Sequence, residues 1–159
     1  MRLGVDVGKA RVGIASSDRD GLLATPVATL ARQDADQRSF GILVDQYDPV
    51  EIVVGLPISL SGADTASTTD AREFAADVAE WTGLPVRLLD ERLSTVSAQR
   101  ALRDSGRRTK GSRPVIDQVA AVIILQNALD SERSAGRPPG VLVDHESGDD
   151  SSQIPDKVT

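Results

Sequence analysis

Residues 51–56 read Glu-Ile-Val-Val-Gly-Leu, a continuous apolar run after its first residue. Such a run is expected of a central strand covered on both faces, because a strand with one wet face alternates instead. The flanking segments supply the cover. Residues 34–47 place Phe40, Leu43, Val44 and Tyr47 at i, i+3, i+4 and i+7, a helical spacing that Asp48-Pro49 ends. Residues 65–81 put Phe74, Val78 and Trp81 on one stripe of a second helix. Gly83-Leu84-Pro85 then turns the chain into a strand at Val86–Leu89.

Upstream, residues 2–7 alternate, with Leu3, Val5 and Val7 on one face and Gly4 and Asp6 on the other. Residues 11–16 alternate again, and Gly8-Lys9-Ala10 is a fitting turn between them. A third strand over residues 22–30 contains Pro26, which points to a sheet edge. Ser94 or Thr95 caps a third helix running to about residue 104, and residues 105–114 read as a basic loop. Residues 116–129 are a helix apolar on most faces, hence buried. The expected order is β-β-β-α-β-α-β-α-α, an α/β domain with a mixed five-stranded sheet flanked by helices. If the crossovers are right-handed, the first and fourth strands lie side by side, with the fifth beyond.

Three carboxylates stand out against this apolar background. Asp6 lies within Leu3–Gly8, Asp90-Glu91 closes the run Val86–Leu89, and Asp117 opens the apolar segment that continues to Leu125. Buried carboxylates are costly without a partner. Acids at the carboxyl ends of strands, where ligands of open α/β sheets gather, are what a divalent-metal site needs. Of Asp90 and Glu91, one is read as the ligand and the other as its support. The longer glutamate is the better placed to reach across an intervening strand, since neighbouring strands lie about 4.8 Å apart. Each acid also has a plain structural reading: Asp6 accepting from the following turn, Asp90 capping a turn, Asp117 favoured by a helix dipole.

Several chemistries are excluded. The chain has no cysteine, so disulfides, thiolate zinc sites and a cysteine nucleophile are out. Its one histidine, His145, sits in a polar tail, which argues against a histidine base. No apolar run reaches the roughly 20 residues of a membrane span. The chain enters a strand directly after Met1, which predicts no signal peptide and a cytoplasmic location. The net charge of −6 is uneven: residues 141–159 carry −4, whereas residues 92–113 carry +6. A local basic cluster matters more than total charge for attracting phosphates. Lys9, Arg11, Arg92, Arg107, Arg108, Lys110 and Arg113 are therefore candidate nucleic-acid contacts, although a charge run can also be an ordinary solvated face.

Four blocks occur in a familiar order. They are Leu3-Gly4-Val5-Asp6-Val7-Gly8 with Arg11-Val12-Gly13-Ile14-Ala15, Val53-Val54-Gly55-Leu56-Pro57, Asp90-Glu91-Arg92-Leu93-Ser94-Thr95, and Asp117-Gln118-Val119-Ala120-Ala121. Together they resemble the YqgF/RuvX family of ribonuclease H-like proteins, over residues 2–130. Many relatives have Gly-Thr-Lys where this chain has Gly8-Lys9-Ala10, so a threonine hydroxyl is missing there while the acids are kept. The resemblance implies a ribonuclease H-like fold and a nuclease acting on the precursor of 16S ribosomal RNA, or on Holliday junctions. It favours Glu91 over Asp90.

On this reading Asp6, Glu91 and Asp117 are catalytic and hold Mg²⁺ or Mn²⁺, as two ions. The ions activate water and stabilise the leaving oxygen of a phosphodiester. The expected partner is structured RNA precursor or branched DNA, with no membrane, and the state is monomer or homodimer. Residues 1–138 are expected to form the nuclease domain and residues 139–159 an acidic, disordered tail. The rivals are a non-catalytic RNA-binding assembly factor and a small phosphate- or nucleotide-binding module.

Overall fold

The computed structural model describes residues 1–93 and 113–143, giving the backbone alone at residues 93 and 113–117. The expected helix at 94–104 and most of the basic loop expected at 105–114 lie outside the described residues, as does the chain after residue 143; residues 113–114, expected in that loop, are the start of a helix that runs to residue 135. Six strands form one sheet: β1 (Arg2–Val7), β2 (Arg11–Ser17), β3 (Ala24–Ala31), β4 (Glu51–Leu56), β5 (Val86–Asp90) and β6 (Val141–Leu142). Three helices accompany them: α1 (Gln37–Tyr47), α2 (Ala66–Thr82) and α3 (Arg113–Ala135).

The spatial order is β3-β2-β1-β4-β5-β6. β1, β2 and β3 form an antiparallel meander, and β4 and β5 run parallel to β1. β1 and β4 pair at the centre with β5 beyond, the order expected of right-handed crossovers. The strand count is the correction: six among the described residues, not five. The extra strand is two residues long, antiparallel to β5, with Leu142 opposite Arg87 and Val141 opposite Leu88. The surrounding Pro138-Pro139-Gly140 reads as loop, and two residues are too few to show alternation.

Local chemistry sets the other boundaries. Asp36 and Ser39 form a capping box that starts α1, and Asp48 ends it in the left-handed region at φ 48°. Thr65 and Thr68 do the same for α2, which Gly83 closes at φ 70°. The buried Thr68 hydroxyl also donates to the Pro57 carbonyl, tying α2 to the end of β4. Pro26 falls on the edge strand, as expected, beside a register shift in the β2–β3 ladder.

The sheet separates two apolar layers. On one face Leu3, Val5, Val54, Leu56 and Val86 pack against Phe40 of α1 and Phe74 and Val78 of α2. On the other, Ala15, Val53 and Leu89 pack against Ala121, Ile124 and Leu125 of α3. Covering both faces buries every residue of β4. α3 is less enclosed than its sequence implied: Ala120, Ala121, Ile124, Leu125, Ala128 and Leu129 are buried, but Val119 is exposed and Val122 and Ile123 half-buried.

α3 sits unusually close to the sheet. A methyl group at Gly4 would lie 2.7 Å from Leu125 Cβ and 3.0 Å from the Ala121 carbonyl. The helix backbone leaves no room for a side chain there. Gly4→Ala is therefore expected to lower stability by about 1–3 kcal/mol through overpacking. Chemical denaturation compared with wild type checks this.

Candidate metal centre at the carboxyl ends of the strands

Asp6 projects from β1 on the α3 side, since Leu3, Val5 and Val7 occupy the opposite face. It is 1% exposed and pairs in register with Gly13 of β2. Glu91 follows β5 in a 3-10 turn and is 3% exposed. β4 lies between these strands, and the register Val5–Val54 brings the next residue, Gly55, level with Asp6. A methyl group at Gly55 would lie 2.5 Å from Glu91 Oε2 and 2.5 Å from Ile124 Cδ1. The missing side chain is thus the cradle for the glutamate. Its carboxylate reaches inward over β4, to within one strand spacing of the strand that carries Asp6.

Asp90 does something different. Its Oδ1 accepts from the Arg92 backbone N–H at 2.9 Å, and the Arg92 side chain grips both carboxylate oxygens, with Nη2–Oδ2 at 2.7 Å. That guanidinium and backbone donor hold the Asp90 carboxyl below the usual carboxylate range. Asp90 therefore caps the turn that presents Glu91, and Arg92 is engaged with it.

Asp117 lies in the first turns of α3. The helix runs antiparallel to β1: Glu132, near its far end, bonds Arg2 at 2.8 Å, and Ala121 packs over Gly4. Residue 117, one turn before Ala121, is accordingly at the end of the sheet where Asp6 and Glu91 lie. Two nearly enclosed carboxylates beside a glycine cradle are hard oxygen donors of the kind Mg²⁺ or Mn²⁺ takes, and among the described residues no group of three such side chains is gathered. Among the basic residues, Lys9 is exposed in the β1–β2 turn and Arg11 is half-buried at its far side. Arg107, Arg108 and Lys110 lie outside the described residues, and Arg113 is placed only by its backbone at the start of α3.

One element of the site went unnoticed in the sequence. Arg32 donates from Nη1 to the Gly8 carbonyl at 2.9 Å. It also makes a two-pronged pair with Asp70 of α2, both contacts at 2.9 Å, and stacks 5.0 Å over the Phe74 ring. The turn that follows Asp6, and carries Lys9, is thereby pinned to α2. No local pattern marks Arg32, because its partners are 24 and 38 residues away.

Arg32 holds the Asp70 carboxyl below its ordinary value. A lowered carboxyl contributes stability above the unfolded value and loses it as pH falls through the folded one. Asp70→Asn should cost about 0.5–1 kcal/mol at neutral pH, the modest figure reflecting a partly exposed pair. The difference from wild type should shrink below the ordinary carboxylate value of about 3.9. Denaturation curves at pH 7 and at the lowest pH that keeps the fold check both points.

Comparison with known proteins agrees with the geometry. Residues 1–131 match the sequence profile of the RuvX family, described as Holliday junction resolvase. A protein of Clavibacter michiganensis, provisionally named a pre-16S rRNA nuclease, is 61% identical over 145 residues, covering 89% of this chain and 90% of its own. A Streptomyces coelicolor protein of the same name is 54% identical over 142 residues, covering 87% and 85%. Among solved structures, Thermus thermophilus RuvC in complex with Holliday junction substrate aligns at TM-score 0.49 and 15% identity, covering 86% of this chain and 98% of that one. By the extent of the profile match and the identity to these relatives, the chain belongs to the RuvX family.

Proposed function

We propose that this protein is a metal-dependent nuclease that hydrolyses phosphodiester bonds in the precursor of 16S ribosomal RNA. The observation that carries the reading is the Glu91 carboxylate lying over Gly55, one strand spacing from the strand of the buried Asp6. The names of relatives at 54–61% identity support the substrate. Holliday junction cleavage is the second reading, favoured by the description of the family.

Asp6, Glu91 and Asp117 would hold Mg²⁺ or Mn²⁺. The chemistry such ions would supply is a lowered pKa for bound water and compensation of charge on the leaving oxygen. The protein's own part is placement. β1 and the β5 turn fix two nearly enclosed carboxylates, and α3 would bring the third. Lys9 and Arg11 follow the strand that carries Asp6 and are proposed to contact substrate phosphate. Arg107, Arg108, Lys110 and Arg113 are proposed to extend that path. Arg92 would orient Asp90 and face phosphate with its free edge. We assign the catalytic unit to the folded domain and the acidic segment that follows to a separate tail. Among the described residues no helix is long and apolar enough to cross a membrane.

The test is cleavage of precursor rRNA and of a four-way DNA junction, each with Mg²⁺ or EDTA. Metal-dependent cutting of the RNA is expected, and faster cutting of the junction would reverse the preference between substrates. Asp6→Asn should abolish cleavage with the fold intact, because it keeps size and removes a ligand charge; a fully active variant would sink the site as drawn. Gly55→Ala should reduce cleavage about 10–100-fold by displacing Glu91, the loss typical of disturbed ligand support.

A further inference from the structure

A groove of about 530 Å³ opens beside this site, where β5 runs past the end of β6. Because β6 pairs only with Arg87 and Leu88, the last residues of β5, Leu89 and Asp90, are left beyond it. Leu56, Ile58, Leu89, Pro138 and Pro139 supply its apolar lining. Arg72 and Arg137 also line it. Asp90, which lines it, is one residue along the chain from Glu91, so the groove lies beside the turn that carries that acid.

The lining specifies an occupant. The Asp90 charge is already met by Arg92, and Arg72 has only a loose 3.6 Å pair with Asp64, both side chains substantially exposed. What remains is an apolar slot with two guanidinium groups, suited to a flat hydrophobic face attached to a phosphate. All four aromatic residues of the chain, Phe40, Tyr47, Phe74 and Trp81, belong to the cluster between the sheet and α1–α2. A base contacting this protein therefore has to lie on aliphatic or proline surface or on an arginine plane, and the groove offers these together. In continuous duplex the base faces are stacked on their neighbours and unavailable.

Resting on the nuclease reading above, we infer that this groove holds one unpaired nucleotide of the substrate strand, beside the phosphate to be cut. The base lies on the apolar lining of Leu89, Pro138 and Pro139, and Arg137 and Arg72 meet its backbone. The enzyme then selects a single-stranded segment next to its cut site.

The experiment uses the full chain and a cleavable oligonucleotide in which single abasic positions are moved along the strand. Single-turnover kcat/KM with Mg²⁺ and affinity in EDTA are measured for each. One abasic position flanking the cut should lower both about 5–100-fold, the range for losing one stacked base, with other positions much less affected. Arg137→Ala and the groove-filling Ala135→Trp should each weaken the intact substrate and abolish that position's penalty. Thermal unfolding verifies that both variants are folded. A flat abasic profile, a penalty that persists in both variants, or equal use of fully paired duplex would each overturn the groove assignment. If wild type cleaves nothing with metal, the nuclease reading fails, while the affinity series in EDTA still decides the groove.

Discussion

The contact on which the rest of the structure depends is the seating of α3 on two glycines, Gly4 of β1 and Gly55 of β4. Helix and sheet ordinarily stand apart by the thickness of their side chains. Here Leu125 and Ala121 press against bare backbone at Gly4, and Ile124 does so at Gly55. The close approach sets the depth of the helix, and its antiparallel run sets which end meets the carboxyl ends of β1, β4 and β5. The same vacancy at Gly55 admits the Glu91 carboxylate. Packing and chemistry thus share one feature: the glycine that lets the helix down also lets the acid in. A larger residue there would disturb both, which separates it from an ordinary strand glycine, whose cost is conformational.

Both ends of the sheet hold buried acids. At the amino ends, the buried Glu51 carboxylate is bracketed by Arg2 at 2.8 Å and Arg87 at 2.6 Å, with Glu132 completing the row through Arg2. That cluster balances two acids with two bases and is closed on itself. At the carboxyl ends, Asp6 and Glu91 are buried to a similar degree and converge on one end of the sheet. Acids held at the carboxyl ends of parallel strands lie where ligands of open α/β sheets gather.

Much of this was readable from the chain itself. The double-sided burial of β4 follows from its unbroken apolar run, the edge position of β3 from Pro26, and the order of β1, β4 and β5 from crossover handedness. The choice between Asp90 and Glu91 was only half readable. Side-chain length favoured glutamate, but the role of Asp90, capping the turn and holding Arg92, depends on geometry within three residues that no periodicity encodes. Arg32 was invisible for a different reason: its value comes from joining a turn carbonyl, a helix carboxylate and a ring face from three separate elements. β6 escaped because two residues carry no alternation, and because its pairing is supplied by the edge of β5 rather than by its own sequence.

The position of β6 bears on how the working end is bounded. A long sixth strand would have paired β5 to its end and sealed the edge against which the turn to Glu91 is built. A two-residue strand anchors the chain after α3, with Val143 donating to the Val86 carbonyl at 2.8 Å, and stops short of Leu89. Gly140 makes the entry possible: at φ 75° its backbone sits against the Leu88 carbonyl, where any β-carbon would collide. Among the described residues, the outer edge of β5 is paired at Arg87 and Leu88 and not at Leu89 and Asp90. An edge paired along its whole length would be safer against aggregation, but it would also cover the strand end from which the turn to Glu91 departs.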